Sequence, residues 1–445
     1  MDARSITQVT ARRVWDSRGR PTIEVEVGLS NGAVGRAIAP AGASTGSGEA
    51  VDLRDGGDAF GGYGVSGAVR NVNGVIRRAL LGLDAGAQTA IDRTLVDLDG
   101  TNSRSRLGGN ALIAVSMAVL HAAAAAEPLP LWSHLLGDAP AILPLPEIQI
   151  FGGGAHARGR ADLQDVMVMP VGATSFAEAL DWTADVYRVA GRQMEEAGRL
   201  QGVADEGGWW PAFDTNESAI EQLVQAIESA GRRPGEEMAI SLDVAASTFY
   251  RGGRYVLGLD GQDVDSDGLA EMLIDWIDRY PIASVEDPLA ETDADGMRRF
   301  TAAVGHRVQV VGDDYLVTNA ARVADAARTC ACNALLVKPN QAGTITETRA
   351  ALDAAVAADF ATIVSARSGE TEDVTIAHLA VGWSAGQLKV GSFARSERMA
   401  KWNEMLRIEE ALGGDARFAG ASALRPARPG TQSADGVLKE KQRWR

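Results

Sequence analysis

Six short apolar runs, each followed by a charged residue, constrain this chain most. From Leu143 onward, Ala239–Leu242, Ile282–Val285, Val308–Val311, Ala334–Val337, Thr362–Ser365 and Gln387–Leu388 alternate with helical stretches. Most are spaced by about 25 to 45 residues, one strand–helix unit each. Such a series suits a parallel barrel or a doubly wound sheet. Asp243 follows the first run and Glu286 the second. Asp313 lies one glycine beyond the third, with Asp314 beside it. Lys338 ends the fourth, Arg367 and Ser368 follow the fifth, and Lys389 ends the sixth. The carboxyl ends of barrel strands open on one mouth, so three carboxylates and two lysines would share a pocket. A single Asp after a strand is readily explained as a helix N-cap. Five such charges at successive strand ends favour the barrel. Val166–Pro170 reads as a further strand, with Met167 and Met169 as core filler.

The region before the barrel has a different texture. Thr22–Val27 alternates polar and apolar residues, Asn31-Gly32 is a hairpin-turn dipeptide, and Ala33–Ala39 supplies the returning strand. A glycine-rich loop, Gly42–Gly48, follows. Its composition makes it flexible, and it lacks the Gly-Lys-Ser/Thr ending of a P-loop. Helical patterns then dominate from Val65 to Leu136. The expected organisation is an α+β domain over residues 1–140, a barrel over 141–420 and a poorly ordered tail over 421–445, rich in Ala, Pro, Arg, Gly and Ser.

The net charge of −16 argues against a nucleic-acid partner. An anionic substrate would need local cations or metals to overcome that field. The Ala-rich stretch Ala111–Ala126 is broken by Ser116 and His121, so it reads as a buried helix and not a membrane span. Met1–Thr10 carries no apolar segment of secretory type, and no membrane partner is expected. Cys330 and Cys332 are too closely spaced for a good disulfide. They read as core or near-core thiols, which fits a cytoplasmic setting.

Three carboxylates with few nearby histidines select a hard, oxygen-loving cation, Mg2+ or Mn2+ in preference to Zn2+. Beside such a cation, a lysine's pKa can be depressed toward neutrality, which suits a general base. Abstracting a proton α to a carboxylate builds charge on the carboxylate oxygens, and a divalent cation stabilises it.

At this point the sequence resembles the enolase family. The motifs are Ser17–Thr22 with Glu24-Val25, Gly42–Gly46, Asp205–Gly208, Leu242–Ser247, Ser284–Leu289, Gly312–Asp314, Arg367–Asp373 and Ala394–Arg398. They occur in order and cover nearly the whole chain to about Gly420. The resemblance implies a (β/α)8-type barrel behind an N-terminal α+β capping domain, and a Lys base working with Mg2+. It implies that Asp243, Glu286 and Asp313 hold a first Mg2+, and that Ser44 closes over the site and helps bind a second with the substrate phosphate. Lys338 would take the C2 proton and Lys389 would contact the substrate carboxylate. Glu206 would assist departure of the 3-hydroxyl as water, with Asp165 on the same side. His156 would lie on a mobile loop near the substrate, and Arg367 and Ser368 would bind phosphate. The implied partner is a small phosphorylated or phosphonylated carboxylic acid, and the implied assembly is a homodimer or larger homo-oligomer.

Several positions depart from the family pattern. Asp165 stands for Glu, withdrawing the carboxylate by about 1.5 Å. Ala366 stands for His before the phosphate-binding Arg and opens space there. Ala41 replaces Ser, Gln149 and Gly152 replace two asparagines, Trp209-Trp210 replaces Phe-Ala, and Pro339 replaces Val. The changes gather at the elimination and phosphate ends. Three readings follow. The first is an enolase proper, converting 2-phosphoglycerate to phosphoenolpyruvate. The second is a specialised paralogue resembling the carboxyphosphonoenolpyruvate synthases of phosphonate natural-product biosynthesis. The third is a non-catalytic binding protein, against which the retained acids and lysines speak.

Overall fold

The computed structural model describes residues 3–43, 45–210 and 212–424. The chain opens with an antiparallel meander of β1 (Ile6–Trp15), β2 (Pro21–Leu29) and β3 (Val34–Ile38), in that order. Alternation in β2 sends Ile23, Val25 and Val27 into the core. Its other face is not simply solvated, because Glu24 is also buried and pairs with Arg12. Gly32, at φ 88°, turns β2 into β3.

The helix Gly109–Ala126 lies across β2 and β3 and is almost wholly buried. It is the one described helix long and apolar enough to cross a membrane, and its apolar surface is spent inside the domain. Its approach to β3 requires Gly35, where a Cβ would stand 2.1 Å from the Ala122 backbone nitrogen.

The second unit is a closed eight-stranded barrel. Its strands are β4 (Leu145–Gly152), β5 (Asp165–Met169), β6 (Ala239–Asp243), β7 (Ile282–Glu286), β8 (Gln309–Gly312), β9 (Ala334–Val337), β10 (Ala361–Ser365) and β11 (Gln387–Ser392). They neighbour one another in chain order, and β11 closes on β4. The six apolar runs read from the sequence are β6 to β11. One strand departs from a uniform (β/α)8 pattern: β5 runs antiparallel to both β4 and β6. The connection from β4 to β5 holds only a short 3-10 turn, Gly154–Ala157, in place of the helix that a parallel crossover normally uses.

The helices after β6, β7 and β8 are capped by residues well beyond the strand ends. Asp265 accepts from Gly268, Asp293 from Gly296, and Asn319 from Ala321 and Arg322. Asp243, Glu286 and Asp313 therefore do not serve as helix caps.

At the opposite end of the barrel, Leu145, Met169, Ala239 and Ala423 form a small apolar plug. The 3-10 turn Gly420–Ala423 reaches it, with the Ala421 N–H donating to the Val171 carbonyl at 3.2 Å. The chain thus stays on the barrel through Leu424. The remainder of the expected tail, residues 425–445, lies outside the described residues. The thiols divide: Cys332 is buried, but Cys330 is exposed, which corrects the reading of both as core or near-core. Cys330 ends the helix Ala320–Thr329 in a left-handed conformation, so its side chain leaves the packed face.

Candidate active site

The strand order brings the predicted residues to one end of the barrel. Asp243 ends β6, Glu286 ends β7, Asp313 follows β8, Lys338 follows β9, Arg367 lies beyond β10, and Lys389 sits within β11. Asp243, Lys338, Lys389, Arg367, Ser368, His156, Asp165 and Glu206 line a common cavity, with Gly42, Ala43 and Ala366 at its edge. The first eight are buried, although all but Ser368 are ionisable. Ser44 lies outside the described residues, and its neighbours Gly42 and Ala43 reach the cavity wall.

The acids and lysines interlock. Lys389 Nζ stands 2.8 Å from Asp243 Oδ2, 2.7 Å from Glu286 Oε2 and 3.5 Å from Asp165 Oδ2. Lys338 Nζ donates to Asp313 Oδ2, whose other oxygen accepts from Gln341 Nε2 at 2.8 Å. Asp243 Oδ2 also accepts from Gln164 Nε2 at 3.0 Å. Glu286 Oε1 is buried and accepts no hydrogen bond. An orphaned carboxylate oxygen among buried carboxylates fits a hard divalent cation, which would satisfy it. Asp243, Glu286 and Asp313 are the residues that would hold such an ion.

The electrostatics follow from this packing. Burial alone would depress both lysines. For Lys389, the charges of Asp243, Glu286 and Asp165 outweigh it and hold the ammonium well above its ordinary pKa. For Lys338, contact with Asp313 does the same, so its pKa is raised. The depression toward neutrality expected beside a cation concerns the metal-bound site, where a divalent cation would draw on Asp313 and weaken its hold on the ammonium. Burial, with Asp243 as the strongest repelling charge, pushes Glu286 well above the carboxylate range.

Among the described residues, two groups of three bring potential ligand atoms within 4.8 Å of one another, and neither is the Asp243, Glu286 and Asp313 set: they are Asp287, Asp313 and Asp314, and His156, Asp165 and Glu206. In the first, Asp287 is already committed, because its two oxygens accept from the backbone N–H groups of Asp313 and Asp314 at 3.0 and 2.7 Å. In the second, His156 Nδ1 lies 3.0 Å from Asp165 and Nε2 lies 3.6 Å from Glu206. The carboxylates face opposite edges of one ring. That arrangement suits proton sharing. Burial opposes the imidazolium, but Glu206 and Asp165 together raise the His156 pKa to about 9. Burial likewise opposes ionisation of Asp165, and His156 and Lys389 hold it well below the usual carboxylate range.

Arg367 occupies a third corner. Its Nη1 stands 3.0 Å from both Glu49 Oε2 and Asn340 Oδ1. Glu49 also accepts from the Gly46 N–H at 2.9 Å, which ties the glycine-rich loop to this arginine. Ala41 and Gly369 exchange two backbone hydrogen bonds, at 2.9 and 2.8 Å, so the side chain at position 41 takes no part in that link. Ala366 is buried beside Arg367 and lines the cavity.

Sequence reasoning missed several contributors. Glu49, Gln164, Asn340 and Gln341 hold the first layer, and nothing in their local sequence marks them. Arg398 is fully buried and donates to the carbonyls of Arg367, Ser368 and Val390. Lys401 donates to the Thr371 carbonyl at 2.6 Å. Fully buried cations on the helix Ser396–Leu412 would have been the signal, but burial is not visible in sequence. Trp209, by contrast, stacks on Tyr187 with ring centres 4.6 Å apart and serves packing behind the site. Pro339 starts a short helix for which Lys338 is the N-cap, a position that suits proline.

Residues 6–135 match the enolase N-terminal domain, and residues 140–427 match the enolase C-terminal TIM barrel domain. With the barrel, its reversed strand and the ring of acids and lysines already in place, these matches account for nearly the whole chain, which belongs to the enolase family.

Proposed function

We propose that this protein is a Mg2+-dependent carbon–oxygen lyase that removes the C2 proton of 2-phosphoglycerate or a close analogue and eliminates water. One observation carries the reading. Lys338 follows β9, and Asp165 begins β5, four strands away in a ring of eight. Lys338 and the Asp165–His156–Glu206 group therefore face one cavity from opposite walls. Such an arrangement suits a reaction that takes a proton from one carbon and protonates a leaving group on the next.

The chain's own residues divide the work. Lys338 accepts the C2 proton once its contact with Asp313 is relaxed. Lys389, held charged by Asp243 and Glu286, sits where it can meet the substrate carboxylate. Glu206 and the protonated His156 stand where a hydroxyl would leave as water. Arg367 and Ser368 supply the cationic and hydroxyl groups for the phosphorus-bearing end. Mg2+ bound by Asp243, Glu286 and Asp313 would stabilise the charge that develops on the substrate carboxylate.

A second reading is favoured by Ala366. A methyl beside Arg367 leaves a wider phosphorus end than an imidazole would, which supports a specialised paralogue acting on a phosphonate analogue. The test is to mix the protein, Mg2+ and 2-phosphoglycerate and to follow the ultraviolet absorbance of the conjugated enol acid. Growth of that absorbance supports the first reading. Solvent deuterium incorporation at C2 without elimination supports the second. Neither signal with either class of acid would sink the lyase reading.

A further inference from the structure

Gln149, on β4, is wholly buried and makes two hydrogen bonds that join separate parts of the cavity wall. Its Nε2 donates to Asp165 Oδ1, and its Oε1 accepts from the Gly208 N–H at 2.8 Å. The same Asp165 oxygen meets His156 Nδ1 at 3.0 Å. Gly208 stands two residues beyond Glu206, whose Oε1 lies 3.6 Å from His156 Nε2. These contacts close a circuit: the Glu206 turn, Gln149, Asp165, His156 and back to Glu206.

Two glycines make room for the glutamine. A Cβ on Gly208 would stand 2.4 Å from Gln149 Oε1, and one on Gly152 would stand 3.0 Å from it. Gly152 is also the residue paired with Asp165 across β4 and β5. The short aspartate and the long glutamine therefore meet over a fixed gap between neighbouring strands. Asp165 Oδ2 is left without a hydrogen bond, 3.5 Å from Lys389.

We infer that Gln149 is a positioning residue, matched in length to Asp165, that holds the Asp165 carboxylate on His156 Nδ1 and thereby aims Nε2 at Glu206. The inference rests on the proposed function only in taking His156 and Glu206 as the leaving-group side. The match in length is a matter of geometry alone. Shortening Gln149 by one methylene opens a gap of about 1.5 Å, enough to break one of its two hydrogen bonds. Lengthening Asp165 by one methylene overfills the same gap. Making both changes restores the span.

The test is a double-mutant cycle of Gln149→Asn, Asp165→Glu and the pair together. The primary readout is the hydrogen-bonded Nδ1 proton of His156, observed in protein carrying isotope-labelled histidine and assigned with His156→Gln. Each single change is expected to abolish that resonance and the pair to restore it. Elimination from 2-phosphoglycerate should fall by at least about tenfold in each single variant, the effect of losing one buried hydrogen bond, and recover in the pair. Exchange at C2, on the Lys338 side, should change least. Gln149→Met keeps the volume but removes both hydrogen bonds. It serves if Gln149→Asn does not fold, and its loss should not be rescued by Asp165→Glu. The inference is overturned if the Nδ1 proton survives in either single variant, or if the pair is no better than the product of the singles. If the unaltered protein does not act on 2-phosphoglycerate, the substrate assignment falls, and the His156 resonance still decides the role of Gln149.

Discussion

Arg398 Nη1 donates to the carbonyl of Arg367 at 2.7 Å, so one wholly buried guanidinium holds the backbone from which another reaches the cavity. Arg398 also secures the carbonyls of Ser368 and Val390. The loop that would grip a phosphorus oxyanion is thus fixed from behind by a cation that never meets the ligand.

Arg398→Met should therefore act on stability and binding together. It leaves three buried carbonyls without donors, at a cost of about 1–3 kcal/mol for each that finds no replacement. Urea denaturation should show a loss of at least about 3 kcal/mol. Inorganic phosphate should protect the variant less than the parent. A variant as stable as the parent would contradict the contacts described.

Lys338→Ala should abolish deuterium exchange at C2, a loss of at least about 100-fold for a general base. The same change removes an ammonium from Asp313, so Mg2+ binding measured by calorimetry should be retained or tightened. Loss of exchange together with loss of Mg2+ binding would instead make Lys338 structural.

Removal of Lys389 predicts a different signature. Lys389→Met leaves Asp243, Glu286 and Asp165 without their shared ammonium. Unpaired buried charge typically costs about 3–5 kcal/mol. Melting in excess Mg2+ should recover much of that loss, because the ion takes over Asp243 and Glu286. The rise in Tm with Mg2+ should be larger than for the parent.

Ala366→His separates the two substrate readings. An imidazole there narrows the cavity beside Arg367 and adds a donor. If the substrate is a bulkier phosphonate, turnover of it should fall by about tenfold or more, while activity on 2-phosphoglycerate rises. No change on either substrate would show that position 366 does not shape the phosphorus end.

Acid stability has a separate source at the domain junction. Burial pushes His378 down to about 4 from an ordinary value of 6.5, with Glu404 opposing and His121 adding to the shift. Its ring packs edge-on to His121, 6.4 Å away. The folded protein then binds fewer protons at this residue than the unfolded chain does between those two pH values. Stability present above pH 6.5 is lost as the pH falls toward 4, by up to about 3 kcal/mol. His378→Gln should flatten that part of the stability–pH curve. An unchanged slope would place the acid sensitivity elsewhere.

The barrel mouth was legible because strand-end charges are spaced by whole strand–helix units, a pattern that survives in one dimension. Asp243, Glu286, Asp313, Lys338 and Lys389 could be named from it. The reversal of β5 was not legible, because direction depends on the connection's path and not on the strand's composition. The contact between Lys338 and Asp313 was not legible either, because spacing cannot resolve an ångström-scale pairing. Read alone, Asp165 is an acid withdrawn by one methylene. Its partner Gln149 lies sixteen positions earlier in sequence but across one strand pairing in space.

The reversed β5 also bears on how the molecule comes together. β4 and β5 pair across a short loop and can form early, with little loop-closure cost. The ring is complete only when β11 pairs with β4, which sets Lys389 opposite Glu147 after more than half the chain has been threaded between them. Lys389 is also the ammonium that reconciles Asp243 with Glu286. Until that last seam closes, a nascent barrel carries mutually repelling carboxylates at its mouth. Closing the ring and neutralising the site are then one event, and a chain interrupted before β11 would lack both.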